Sequence, residues 1–331
     1  METSNRGTTN LAVAPLGLGL AALGRPGYIN LGHAEDLNRE YDVAAMEAHA
    51  HAVLDAAYAG GIRYFDAARS YGRAEEFLGH WLVARGLSPD DVIVGSKWGY
   101  TYTADWQVDA EVHEVKEHSL EVLERQWVES LGNLGDHLDL YQIHSATLQS
   151  GVLENGPVLA KLAQLKETDI SIGLTVSGPL QEEVVARAIP LTVDGIRLFD
   201  SVQATWNLLE RSAGPILAEA AAAGMIVIVK EALANGRLTP RNTEPDFAKQ
   251  HSTLEREAAR LETTVDALAL AAVLAQPWVT LVLSGAARVD HMISNLRALD
   301  VAWDADAHAS LAFLVEPADA YWASRDELEW K

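Results

Sequence analysis

Four residues able to hold or move protons, Asp66, Tyr71, Lys97 and His144, stand at or just past the ends of short apolar runs. IRYF leads into Asp66 and then AARS and Tyr71; VIVGS leads into Lys97; LDLYQI leads into His144. A tyrosine ordinarily titrates near ~10 and is a poor acid at neutral pH. An ammonium about 4 Å away, at an effective dielectric of ~20, is worth roughly 4 kcal/mol, so Lys97 is expected to make Tyr71 a usable proton donor. Asp66 would keep Lys97 charged and oriented, while His144 would hydrogen-bond an oxygen under reduction and share in proton relay. The same charges also fit a structural Asp66–Lys97 ion pair with His144 as a bystander, because an unpaired buried charge is strongly penalised. A proton donor beside a carbonyl, with neither a nucleophile nor a metal set, lacks only hydride, which a cofactor brings.

Such residues act together only if the elements beneath them bring their ends to one place. Eight β-branched runs alternate with Ala/Leu/Glu-rich stretches, the rhythm of βα units around a parallel sheet. The predicted strands are 11–20, 62–66, 92–96, 138–143, 170–175, 200–204, 225–229 and 279–283. Helices are expected over 44–59, 74–85, 111–131, 157–167, 180–188, 214–223 and 253–275. Runs such as VIVGS and MIVIV are apolar on both faces, as strands covered on both sides must be. Eight of them without a composition break favour one closed α/β barrel, a (β/α)8 TIM barrel over residues 11–316. In that fold functional side chains gather at the carboxyl ends of the strands, where these four lie. Residues 1–10 read as a disordered tail and 239–252 as a mobile loop. Residues 317–331, with Tyr321, Trp322 and Trp330, could cap one mouth of the barrel.

Composition narrows the chemistry further. The chain has 331 residues, 25 Lys plus Arg against 47 Asp plus Glu, 49% hydrophobic residues and no cysteine. Thiolate zinc, iron–sulfur and cysteine-nucleophile chemistry are therefore excluded, and no metal site is expected. A net charge of -22 repels nucleic acid and anionic lipid, so neither is an expected partner. The absence of a leader-like or spanning apolar run points to the cytoplasm. Two motifs are decoys. GLGLAA (Gly17 to Ala22) meets a loose dinucleotide pattern, but Gly24, Pro26 and Gly27 would break the helix that pattern must open. HEVKEH spaces His113 and His118 by five, roughly 140° apart on a helix, so it reads as a solvated helix face; His49 and His51 read the same way.

GIRYFDAARSYGRAEEFLG (Gly61 to Gly79), VIVGSKWG (Val92 to Gly99), LDLYQIH (Leu138 to His144) and VLSGAARVDHMISN (Val282 to Asn295) together resemble the aldo-keto reductases, in order along nearly the whole chain. The resemblance implies a (β/α)8 barrel, an extended NAD(P)H across its carboxyl face and a Tyr71/Lys97/Asp66/His144 tetrad. It implies that Gln203 binds the nicotinamide amide and Asn295 reads adenine, with Gly285 and Arg288 at the adenosine end. Gly19, Leu20, Leu233, Gly236 and Ser284 fall among its further cofactor positions. Thr175-Val176 replaces the usual Ser-Asn pair after strand five, and Lys230-Glu231 replaces an aromatic and a serine after strand seven. Glu231 beside a pyrophosphate would be unfavourable unless Lys230 or Arg237 neutralises it. Such departures are similar to those of a subgroup that includes sugar and aldose dehydrogenases.

The coenzyme expected is NADP(H) in preference to NAD(H), since an exposed 2′-phosphate in so acidic a chain needs a local cation, and Arg288 is placed to serve. Trp98, Tyr100 and Trp106 follow Lys97 closely and Trp206 lies past strand six; such aromatic walls suit sugars or aromatic aldehydes. The expected function is hydride transfer between nicotinamide and a small aldehyde, ketone, alcohol or sugar. Two rivals are a Schiff-base lyase with Lys97 as nucleophile and an idle NAD(P)H-binding barrel acting as sensor or regulatory subunit. The oligomeric state is open.

Overall fold

The computed structural model describes residues 14–330. Its eight barrel strands are Leu16–Gly19, Tyr64–Asp66, Ile93–Trp98, Leu138–Ala146, Ser171–Val176, Ser201–Thr205, Ile226–Lys230 and Leu281–Ser284. Each pairs in parallel with the next, and the eighth closes on the first through Leu16 opposite Val282. A (β/α)8 barrel is therefore the fold, with each predicted strand present within a few residues; the part of the first over 11–13 lies outside the described residues, as does the tail at 1–10.

Burial on both faces explains the apolar strands. Their inward side chains, among them Tyr64, Leu140, Ile228 and Leu281, close one end of the barrel, while Val94, Ile143, Leu174 and Val202 belong to the layer beneath the helices. With that end filled by hydrocarbon, the opposite, carboxyl end is where polar side chains can meet.

Three expectations need correction. The helix predicted over 111–131 is a strand, Glu114–Lys116, paired antiparallel with Tyr100–Tyr102, followed by a helix at Leu120–Leu134. Val115 is exposed between half-buried Glu114 and Lys116, the alternation of a strand, and the Ser119 hydroxyl accepts from Val122 N to start the helix. HEVKEH is thus extended rather than helical, and His118 is buried within it. The helix at 253–275 is two, Ala248–Arg260 and Val265–Leu274, interrupted where Glu262 takes φ 53° and Thr264 caps the second. The supposed loop at 239–252 already carries the start of the first of these, and Arg241 ties it to Gly32 O (2.8 Å) on the segment after strand one. His49 and His51 are helical, yet each bonds a backbone oxygen of a neighbouring element.

Candidate active site

Each acid–base residue is aimed by the end of its strand. Asp66 closes the second strand and is 2% exposed; inside the barrel it accepts from Tyr64 Oη (3.1 Å), Gln142 Nε2 (3.3 Å) and Gln203 Nε2 (3.2 Å). Lys97, 1% exposed, donates to Asp66, to Ala67 O (2.9 Å) and to Tyr71 Oη (3.4 Å). Tyr71 rides on the turn after Asp66, pinned from both sides: Arg69 N donates to Lys97 O and Arg73 N to Gly24 O. Two glycines allow that approach. A Cβ at Gly24 would lie 2.2 Å from Tyr71 O, and Gly72, at φ 59°, would meet Gly24 O at 2.4 Å. His144 packs edge-on to Tyr71, ring centroids 5.4 Å apart. Directly after it the fourth strand kinks, with Ser145 at φ 52° held by its amide on Thr175 Oγ1 (2.7 Å).

The charges sort by environment. Burial pushes the Tyr71 phenol well above its ordinary value and Asp66 adds to this, while Arg25 opposes them. The expectation that Lys97 lowers it omitted burial and the Asp66 carboxylate, both of which raise it. Burial and the nearby Lys97 and Lys230 hold His144 well below the usual imidazole value, so it is neutral at pH 7. Burial also lowers Lys97, with Asp66 opposing.

These ends open on a cavity of about 670 Å3 whose wall includes Gly19, Asp66, Tyr71, His144, Gln203 and Ser284. It continues past Lys230, Glu231, Leu233 and Gly236 to Gly285 and Asn295, the last sharing a 2.8 Å hydrogen bond with Ser284 Oγ. Along one side the segments after strands one and seven join, Leu31 N donating to Asn235 O (3.0 Å) and Arg241 pairing with Asp36. Several predicted positions are not on this wall. Leu20 faces the helix layer, and Ala21 and Ala22 line the wall in its place. Thr175 is spent on Ser145, and Ser177 reaches the wall instead. Arg288 turns to Asp290 in a two-pronged ion pair (2.8 and 3.1 Å), and it is Asp290 that lines the cavity.

Of the four aromatics expected to meet substrate, Tyr100 alone lines the cavity, its ring 4.9 Å from that of His144. Trp98 is wholly buried in the helix layer beside His118, Trp106 packs on Phe77 and donates to Tyr41 O, and Trp206 packs on Trp278. Alternation on the third strand explains the first: Lys97 points inward, so Trp98 points outward. Sequence reasoning missed Arg25, Tyr28 and Glu114, which line the catalytic end, because none follows a barrel strand directly in the pattern that flagged the others. Of the C-terminal aromatics, Trp330 lines the cavity, stacked on His113 at 4.2 Å, whereas Tyr321 and Trp322 pack beneath.

Glu231 is neutralised chiefly by Arg325 of the C-terminal helix (Nη2–Oε1 2.6 Å), with Lys230 at 3.8 Å; Arg237 pairs with Glu316 instead. Burial alone would raise the Glu231 carboxyl, but Arg325 and Lys230 outweigh it and hold it at about 2, against 4.5 in the open chain. A carboxylate so depressed stabilises the fold above pH 4.5 and loses that contribution as pH falls toward 2. We expect Arg325→Met to remove on the order of 2 to 3 kcal/mol at pH 7 and to flatten stability between pH 4.5 and 2, read from urea unfolding across that range.

The aldo/keto reductase family model matches residues 15–316. The chain belongs to the aldo/keto reductase family. It is accordingly an oxidoreductase of a family that uses nicotinamide cofactors. This aldo/keto reductase is 27% identical over 338 residues to the NADH-specific methylglyoxal reductase of Escherichia coli, covering 91% of this chain and 94% of that one. Its fold matches the holo form of an aldo-keto reductase from Bacillus halodurans (TM-score 0.70, 22% identity, 94% and 95% of the two chains). It also matches the glycerol dehydrogenase of Gluconobacter oxydans (0.68, 20%, 94% and 95%). Among the described residues no helix is long and apolar enough to cross a membrane, and no group of three or more His, Asp or Glu side chains could hold a metal ion.

Proposed function

We propose that this aldo/keto reductase interconverts a small aldehyde or ketone and its alcohol, or a sugar and its oxidised form, with Tyr71 as proton donor and acceptor. The observation that carries the reading is the convergence of Tyr71, Lys97, Asp66 and His144 at one end of a long cavity. The rest of that cavity fits an extended nicotinamide coenzyme. Gln203 and Ser177 lie near the catalytic end, and beside Gly285 an added Cβ would meet nothing within 4 Å, so the backbone there borders open space. When bound, the coenzyme supplies the hydride.

The protein's own residues manage the oxygen. A phenol held above its ordinary value stays protonated at neutral pH and gives up its proton only to a strongly basic oxygen such as a developing alkoxide. Neutral His144 offers that oxygen a hydrogen bond without itself being an acid. Asp66 fixes Lys97, and Lys97 fixes the Tyr71 hydroxyl. Burial of Lys97 behind Tyr71, away from the cavity wall, disfavours a Schiff base, which requires a free, reachable amine. Steady-state consumption of NADPH and NADH against a panel of small aldehydes and ketones tests the reading. Turnover of none would favour an idle cofactor-binding barrel, and borohydride trapping of substrate on Lys97 would favour the lyase.

The coenzyme preference we infer is NADP(H), with Arg288 holding the 2′-phosphate. Arg288 must leave Asp290 to do so, so one contact is in play. Arg288→Ala should weaken NADPH about tenfold in a fluorescence titration and leave NADH nearly unchanged. Equal losses for the two coenzymes, or a wild type that prefers NADH, would remove this role.

A further inference from the structure

Arg25 lies on the turn after the first strand, is 2% exposed and borders the cavity. Its guanidinium sits over three rings, with Cζ 4.9 Å from the centre of Tyr28, 5.2 Å from Tyr71 and 4.6 Å from Trp330. Nη1 donates to Ser70 O (3.0 Å) and to Glu114 Oε2 (2.9 Å), and the buried Nε has no partner among the described residues. Glu114 comes from the hairpin strand outside the barrel and borders two spaces, the catalytic cavity and an outer vestibule of about 580 Å3 that also touches Tyr100, His113 and Trp330. Glu114 therefore stands at the neck between them, with Arg25 on its catalytic side, beside the proton donor.

We infer that the Arg25–Glu114 pair is a specificity element that reads a hydroxyl on the carbon next to the reacting carbonyl. The inference rests on the oxidoreductase reading of the same site. Glu114 repels a carboxylate and Arg25 repels an ammonium, so the neck selects against either charge. A hydroxyl suits both partners at once, accepting from the guanidinium and donating to the carboxylate. Arg25 lies over the Tyr71 ring, Cζ 5.2 Å from its centre, so the group it reads is one close to the oxygen that Tyr71 serves. An alkyl group in the same place would desolvate two charges and give nothing back, and that kind of discrimination is stronger than what pocket size alone achieves.

The test compares glyceraldehyde with propionaldehyde, kcat/KM being expressed per unhydrated aldehyde, for the full chain saturated with NADPH. Wild type should favour glyceraldehyde by about 10- to 150-fold, the worth of one hydrogen bond to a charged group. Arg25→Met and Glu114→Gln should each bring the ratio to within about fivefold of one by slowing glyceraldehyde more than propionaldehyde; either change also moves the Tyr71 phenol, which acts on both aldehydes alike and cancels in the ratio. If Arg25→Met does not fold, Glu114→Gln decides alone, since Glu114 is the more exposed partner. Turnover of both aldehydes with a ratio near one in wild type, or a ratio unmoved in Glu114→Gln, overturns the inference and leaves the oxidoreductase reading standing. Failure of wild type to turn over any carbonyl compound overturns both.

Discussion

Tyr71→Phe is expected to leave coenzyme affinity intact and to lower turnover by roughly 100- to 10,000-fold, the range spanned by acid–base catalysis. The change deletes one oxygen. The ring stays between Arg25, Lys97 and His144, so packing around the cavity is kept and the loss reports proton transfer. Coenzyme binding by fluorescence and turnover of the best carbonyl substrate, measured on one preparation, separate the two effects. Near-native turnover in the variant would transfer the donor role elsewhere. So would a loss that tracks coenzyme affinity.

Asp66→Ala is expected to cost on the order of 3–5 kcal/mol of stability as well as activity, because it strands a buried ammonium. Lys97 can shed part of that cost by losing its proton, and burial already pulls it in that direction. The variant's folded state then binds fewer protons than its unfolded state, so its stability should rise with pH between 7 and 10, where wild type changes less. Tyr64, Gln142 and Gln203 lose an acceptor at the same time, which adds to the penalty. A paired Asp66→Leu, Lys97→Met variant should regain much of the stability and none of the turnover. Melting temperature and denaturant midpoint across pH check the first part. An Asp66→Asn variant with unchanged midpoint and activity would show that the pair carries neither function nor fold.

Strand positions, barrel closure and the gathering of Asp66, Tyr71, Lys97 and His144 at one end were legible in the chain itself. A parallel barrel buries both faces of every strand and places polar residues at one end, so apolar runs of five or six ending in Asp, Lys or His carry their own address. The glycines at 24 and 72 belong to the same local grammar, though only the structure reveals the backbone contact that requires them. The strand over 114–116 leaves no such mark: Val112 and Val115 are three apart, a spacing that suits a helix, and only the pairing with Tyr100–Tyr102 makes the segment extended.

What the chain did not declare was which side chains share a space when they sit far apart in sequence. Trp98 and Tyr100 are two residues apart, yet one is buried under the helices and the other lies on His144, a difference decided by where the barrel strand ends and the hairpin begins. Arg325 neutralises Glu231 across 94 positions, and Arg25 meets Glu114 across 89. The direction of the Tyr71 shift was likewise out of reach, because a charge's effect depends on every neighbour and on burial, and both are properties of the packed chain. Local periodicity determines the elements and their ends; long-range pairing of charges, free of any periodic signature, is settled only when those ends are folded around one cavity.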